Sequence, residues 1–270
     1  MNLVTRIVKS VQDGSLPIKL LNRISRTKYM PSQEVCLDEF LAEHYAGEGW
    51  KVLSPTSRRI WVDLHPIFSK IDITGITYVG AHDGKMASGI DEAFPNRRYF
   101  LIEPAPSTFK TLSENVSSRP NMKCVNIAAG STDSTVDLFV DDFSAASSLL
   151  PYTNAAIHEF PFLGQGEKTE VRVKKLDDIL QQHGVDETDL LIIDVQGYED
   201  EVLAGAQNTL KISRAVMIEL SLQDLYLASS TFDSVYQALV GKGFRLRHLL
   251  NPVRGSGQSI LQIDGVFIRE

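Results

Sequence analysis

Cysteine is nearly missing from this chain: Cys36 and Cys124 are the two present among 270 residues. Two thiols cannot build a disulfide framework or a Cys-rich four-ligand zinc site, and a reducing compartment is the simple reading. Long apolar runs are missing too. None approaches the ~20 residues that span a bilayer, which excludes a transmembrane protein. An excess of positive charge is also missing. The net charge is −7, which argues against a general nucleic-acid binder, since that needs a basic footprint for phosphates. No secretory h-region is visible, and the expected location is cytoplasmic. What is present, 43% hydrophobic and 23% charged residues, is the balance of a globular protein. A chain this long buries roughly 70–75% of its unfolded surface and needs no staples.

The charge is unevenly spread. Residues 1–30 carry Arg6, Lys9, Lys19, Arg23, Arg26 and Lys28 against Asp13, a net +5 that leaves −12 for the rest. Leu3, Val4, Ile7, Val8 and Val11 fall close to helical spacing in the same segment. A basic amphipathic start suits peripheral membrane contact or an organelle address; it equally suits a cap helix with its charges in water. The early breakers Gly14 and Pro17 favour the cap helix. Residues 1–70 read as a helical appendage, with Trp50, Trp61 and Phe68 in its core, and residues 71–270 as the main domain.

From Gly75 the texture changes to short β-rich runs: Ile76–Val79, Arg98–Ile102, Lys123–Ile127, Leu190–Asp194, Ala215–Glu219, Phe244–Leu249 and Leu261–Ile268. Helical periodicity lies between several of them, as in Phe109, Leu112 and Val116, or Val202, Leu203, Ala206 and Leu210. Strands alternating with helices predict an α/β fold with a mostly parallel sheet. The first five runs are nearly continuous in apolar residues, as strands covered on both faces are. One insertion breaks the rhythm. Val136–Asp141 and Glu170–Leu176 read as strands around a Ser-, Ala- and Phe-rich stretch from Phe143 to Gly166, expected to cover the substrate.

Chemistry gathers at the carboxyl ends of these runs, where open α/β sheets bind ligands. The first run leads into Gly80-Ala81-His82-Asp83-Gly84, whose glycines suit a tight turn close to a ligand. The second ends in Glu103-Pro104, an acid placed to accept both hydrogen bonds of a ribose diol. The fourth delivers Asp194, and a helix begins a few residues later, so Asp200 and Glu201 read as dipole partners of its N-terminus. Glu219 ends the fifth run in the same fashion. Three carboxylates at three strand ends on one edge are hard to explain as packing.

Val79-Gly80-Ala81-x-x-Gly84, Glu103-Pro104, Lys175-Leu176-Asp177-Asp178, Asp194-Val195-Gln196-Gly197-Tyr198-Glu199 and Val202-Leu203-x-Gly205-Ala206 together resemble the FkbM family of methyltransferases. The resemblance runs from about Ile76 to Ile268. It implies a Rossmann-like class I methyltransferase sheet, mostly parallel with an antiparallel last strand. It also implies S-adenosylmethionine as cofactor and a sugar, glycan or natural-product hydroxyl as acceptor. By position, Gly80, Ala81 and Gly84 would cradle the methionine part, with His82 and Asp83 in the same loop departing from the family's usual residues. Glu103, followed by Pro104, would hold the ribose, and Ile127, Ala128 and Ala129 the adenine. Asp194 would lie near the sulfonium and the incoming hydroxyl. Removal of the hydroxyl proton falls to Asp194, Glu199, Glu219 or His82, with Asp194 favoured. Gln196 stands where Glu is also common and is a poor candidate for an essential acid. Ser147 and Ser148 resemble a family serine position and read either as cofactor or acceptor contacts or as solvated loop serines.

The remaining features take plainer readings. His44, His65, His158, His183 and His248 have no metal-ligand spacing and read as structural or surface residues. Asp177 and Asp178 read as the N-cap of the next helix, and Cys124 as a small buried hydrophobe. A divalent cation between Asp194 and Glu219 stays conceivable on charge grounds, but no committed ligand set is present. Two rival functions stand beside methyl transfer: a non-catalytic scaffold that keeps the cofactor pocket, and a nicotinamide-dependent oxidoreductase. Against the latter, no Tyr-x-x-x-Lys occurs and the glycine spacing is wrong.

Overall fold

The computed structural model describes Ile60, residues 63–65, 67–141 and 147–160, Leu163, and residues 167–270. The basic segment 1–30, most of the helical appendage, Trp50, Trp61, His44 and Cys36 lie outside the described residues, as do parts of the insertion. Among the described residues no helix is long and apolar enough to cross a membrane.

In chain order the elements are β1 (Gly75–Val79), α1 (Lys85–Ala93), β2 (Arg98–Ile102), α2 (Pro106–Val116), β3 (Met122–Val125), β4 (Ala128–Gly130) and β5 (Ser134–Val140). Then follow α3 (Asn154–Glu159), β6 (Glu167–Lys175), α4 (Leu176–Gln182), β7 (Leu190–Ile193), α5 (Glu199–Gly205) and α6 (Thr209–Ile212). The chain closes with β8 (Ala215–Ser221), α7 (Phe232–Val240), β9 (Phe244–Arg254) and β10 (Ile260–Arg269). Seven strands form one sheet in the order β3-β2-β1-β7-β8-β10-β9. β1, β2, β3, β7 and β8 run parallel, and β10, the last strand, is antiparallel to both its neighbours. Every residue of β1 and β7 is buried, as the continuous apolar runs require of strands with helices on both faces.

Local chemistry explains the helix starts. Pro106 opens α2 at a position where its missing N–H costs nothing. Thr231 opens α7 with a reciprocal capping box to Ser234. Asp177 does not cap its own helix. β6 runs on to Lys175, which takes the cap position of α4. The Asp177 carboxylate instead accepts the Asn208 and Thr209 N–H groups, each at 2.8 Å, and so caps α6. Cys124 is only partly buried, with Sγ 3.5 Å from Ser113 Oγ, because β3 is an edge strand. Phe68 stacks on Phe94 at the end of α1, ring centroids 4.1 Å apart.

The insertion forms a second, three-stranded sheet, β4-β6-β5, with β5 and β6 antiparallel. β4, three residues of Ala and Gly, has no propensity by which the sequence announces it. Past the sheet, Ala156 of α3 packs with Leu225, Tyr226 and Leu261. Thr153 donates its N–H to the Leu225 carbonyl at 2.9 Å. The described part of the insertion is thereby fastened to the loop after β8.

Strand register positions the site. Val79 pairs with both Ile102 and Ile193, and Ile193 with Ile218. The next residue on each strand, Glu103, Gly80, Asp194 and Glu219, therefore stands in one row at the carboxyl edge. The antiparallel pairing of β10 adds Asp264 opposite Glu219.

Candidate active site

The loop after β1 is shaped by main chain. Gly80 has φ +81°, and a Cβ there would lie 1.7 Å from the Asp194 carbonyl oxygen. Its requirement for glycine comes from the adjoining strand end rather than from a ligand. His82, also left-handed at φ 49°, donates its N–H to Glu103 Oε2 at 3.0 Å. Ala105 donates its N–H to Glu103 Oε1 at 2.9 Å, so both oxygens are held. Burial pushes the Glu103 carboxyl up to about 7 in spite of these donors.

A cleft of about 290 Å³ opens above this loop. Of the residues nominated from sequence, Gly80, Ala81, His82, Asp83, Glu103, Pro104, Ala128, Ala129 and Asp194 line it, with Ser147 and Ser148 from the insertion. Four others stand elsewhere. Gly84 is turned toward α2, where a Cβ would meet Leu112 Cδ1 at 2.6 Å. Ile127 packs against the main core and lines a separate groove beside His183. Glu199 is buried behind the cleft, where Oε1 accepts the N–H groups of Gly197 at 3.1 Å and Val195 at 3.4 Å and ties down the turn before α5. Burial pushes its carboxyl up to about 7. Glu219 is also behind the cleft, and its Oε2 accepts from Gln196 Nε2 at 3.1 Å and Gln262 Nε2 at 2.7 Å. Burial and the nearby charges of Asp194, Glu199 and Asp264 hold Glu219 well above the usual carboxylate range.

Of Asp194, Glu199 and Glu219, Asp194 is the one that lines the cleft. Its Oδ1 accepts from Gln196 Nε2 at 2.8 Å, and Oδ2 takes no hydrogen bond from the described residues. Burial raises its pKa, while the Gln196 N–H and the His82 charge pull it back. Gln196 is thus the hub. It sits at φ 55°, bridges Asp194 and Glu219 through Nε2, and accepts from Tyr226 OH at 2.7 Å through Oε1. A shared cation between the two acids does not fit, because that amide N–H fills the position between them. No cluster of three or more His, Cys, Asp or Glu suited to a metal occurs among the described residues.

Sequence reasoning missed Gln262, Tyr226 and Asp264. Asp264 Oδ2 accepts from Asn251 Nδ2 at 2.9 Å, and burial pushes it up to about 7. One signal was available, an acid inside the apolar run Leu261–Ile268. Tyr226 and Gln262 carried none, since both depend on pairings distant in the chain.

Counting only strands of the large sheet, the order is 3-2-1-4-5-7-6 with the seventh reversed, and a glycine loop and an acid follow the first two strands. That is the Rossmann-like arrangement of class I methyltransferases. Residues 79–246 match the Methyltransferase FkbM domain, and the chain belongs to this family, whose methyl donor is S-adenosylmethionine. 2-O-methyltransferase NoeI of Sinorhizobium fredii is 26% identical over 155 residues, 55% of this chain and 63% of that one. Methyltransferase sdnD of Sordaria araneosa is 25% identical over 168 residues, 53% of this chain and 65% of that one. The chain thus spans less than two thirds of the length of either curated relative. A crystal structure of the methyltransferase FkbM from Methylobacillus flagellatus KT aligns at TM-score 0.49 and 14% identity, over 98% of this chain and 59% of that one.

Proposed function

We propose that this chain transfers a methyl group from S-adenosylmethionine to a hydroxyl oxygen of a sugar, glycan or natural-product acceptor. The observation that carries the reading is Asp194, which lines the cleft with one oxygen anchored by Gln196 and the other taking no hydrogen bond from the described residues. When bound, the donor supplies an electrophilic methyl group on a positively charged sulfur. The residues present suit it. Glu103, with each oxygen already fixed by one backbone N–H, keeps lone pairs for a ribose diol, and donors there favour its charged form. Ala128 and Ala129 offer a small apolar wall for a flat base. The acid row at the sheet edge favours a cationic ligand.

Asp194 then accepts the proton of the acceptor hydroxyl. A carboxylate with a raised proton affinity is better matched to that task than an ordinary one. Oxygen is favoured over an amine because a wall of carboxylates stabilises ammonium and so ties up the lone pair an amine needs for attack. The name of the NoeI relative, a 2-O-methyltransferase, agrees with oxygen.

Calorimetric titration with S-adenosylhomocysteine tests the donor site, with NADH as control. Wild type should bind, and Glu103→Ala should weaken binding by about 10- to 100-fold through lost charge-assisted hydrogen bonds. Transfer of labelled methyl to a panel of saccharides, in an alkali-stable product, tests the acceptor class. Cofactor binding with no transfer to any hydroxyl would favour the scaffold reading.

A further inference from the structure

Gln196 is gripped from two sides. Its side-chain Oε1 accepts from Tyr226 OH at 2.7 Å, and its main-chain carbonyl accepts from Ser148 Oγ at 2.6 Å. Ser148 and Tyr226 are both buried, and Tyr226 is itself bridged to Tyr152 of the insertion, ring centroids 5.4 Å apart. The left-handed backbone of Gln196 is a conformation that a non-glycine residue keeps where its surroundings over-determine it.

An amide side chain has a donor end and an acceptor end. With Nε2 inward, Gln196 donates to Asp194 and Glu219 together. Turned by half a revolution it would present Oε1 to both acids, lose both bonds and set three oxygens against one another. In the first orientation the Tyr226 hydroxyl meets the amide oxygen at 2.7 Å, and in the second it would face the amide N–H groups instead. Burial and the charges of Asp194, Glu199 and Asp264 hold Glu219 well above the usual carboxylate range in spite of the amide N–H groups it accepts from Gln196 and Gln262, so of the two acids Glu219 is the one that keeps its proton.

We propose that Tyr226 and Gln196 are a positioning pair for methyl transfer: Tyr226 sets the amide, and the amide holds the Asp194 carboxyl in place in the wall of the cleft. The proposal rests on the reading of Asp194 as proton acceptor. It also links the insertion to the reacting end of the cleft, since Tyr152 and Ser148 hold the two residues in place. The titratable groups that interact with Asp194 are Tyr78 on β1, His82 after it, Glu103 after β2, Glu199 on α5, Glu219 on β8, Tyr226 after β8 and Asp264 on β10. His82 favours the anion, and the carboxyls oppose it.

The test needs no acceptor. S-adenosylmethionine carries a sulfonium and S-adenosylhomocysteine a neutral thioether, so the ratio of their Kd values reads negative charge in the cleft. Measured by calorimetry on the full chain as a pH series, this ratio should step in favour of the cation as Asp194 ionises. Removing an N–H donor from a carboxylate raises its pKa, so Tyr226→Phe should move the midpoint upward by about one pH unit. Gln196→Met, of similar length and without donors, should move it at least as far, and it carries the test alone if circular dichroism shows Tyr226→Phe unfolded. Asp194→Asn should remove most of the step, leaving the smaller part that Glu103, Glu199 and Asp264 contribute as they ionise near pH 7. An unmoved midpoint in both variants, with most of the step lost in Asp194→Asn, overturns the positioning pair and leaves the reading of Asp194 standing. A wild-type step retained in Asp194→Asn overturns that reading and the proposal with it.

Discussion

At the ends of β1 and β2 the cleft is bounded by main chain, whereas at the ends of β7, β8 and β10 it is bounded and backed by amides and carboxyls. The first wall consists of a left-handed glycine, a left-handed histidine and two N–H groups that clasp Glu103. The second consists of Gln196, Gln262 and Asn251 distributing donors among Asp194, Glu219 and Asp264. The contrast teaches where each wall is vulnerable. A backbone wall fails when atoms are added to it. A side-chain wall keeps its shape under isosteric exchange but changes its charge.

Gly80→Ala should break the first wall most severely. The new Cβ meets the Asp194 carbonyl in a left-handed residue, and a loss of about 3–5 kcal/mol is expected in denaturant unfolding. Near-wild-type stability would show that this loop adapts. Asp194→Asn should leave the fold and S-adenosylhomocysteine binding nearly intact while slowing methyl transfer by about 10²–10⁴-fold, the usual worth of a general base. Equal losses of binding and turnover would instead join the two walls into one functional unit.

A weaker effect concerns pH. Glu103, Glu199 and Asp264 are each pushed up to about 7 in the folded chain, against ordinary values near 4. The folded state therefore holds protons that the unfolded chain releases. The part of the ligand-free protein's stability that these three groups carry should fall as pH rises from about 4 to about 7 and level off above. Thermal melts should show this decline, and Asp264→Asn should make it shallower. Asp177→Ala, outside both walls, serves as the small control. Loss of the α6 cap should cost about 1 kcal/mol with donor binding unchanged.

The same contrast explains what could be read before the structure. Continuous apolar runs mark β1, β2, β7 and β8 because both faces of those strands are covered, and strand ends then point to Glu103, Asp194 and Glu219. Gly80 is legible because a left-handed turn against a neighbouring carbonyl admits little else. Whether an acid at a strand end faces a ligand or a partner amide is not legible. Glu219 and Asp194 end their strands alike, yet Gln262, 43 residues along the chain, claims Glu219. Asp177 shows the same limit in a helix: its spacing fits a cap, but the helix it caps begins 32 residues later.

The row of residues at the sheet edge also works as a measuring rod. Strands lie ~4.8 Å apart, so the strand ends that carry Glu103 and Asp194, two strands apart, are separated by about 10 Å whatever the surrounding loops do. A donor whose ribose rests on Glu103 would have to span that distance to bring its methyl group to Asp194. Loop changes could then alter which groups are welcomed along the way, but the shortest molecule able to reach both acids would stay set by the count of strands.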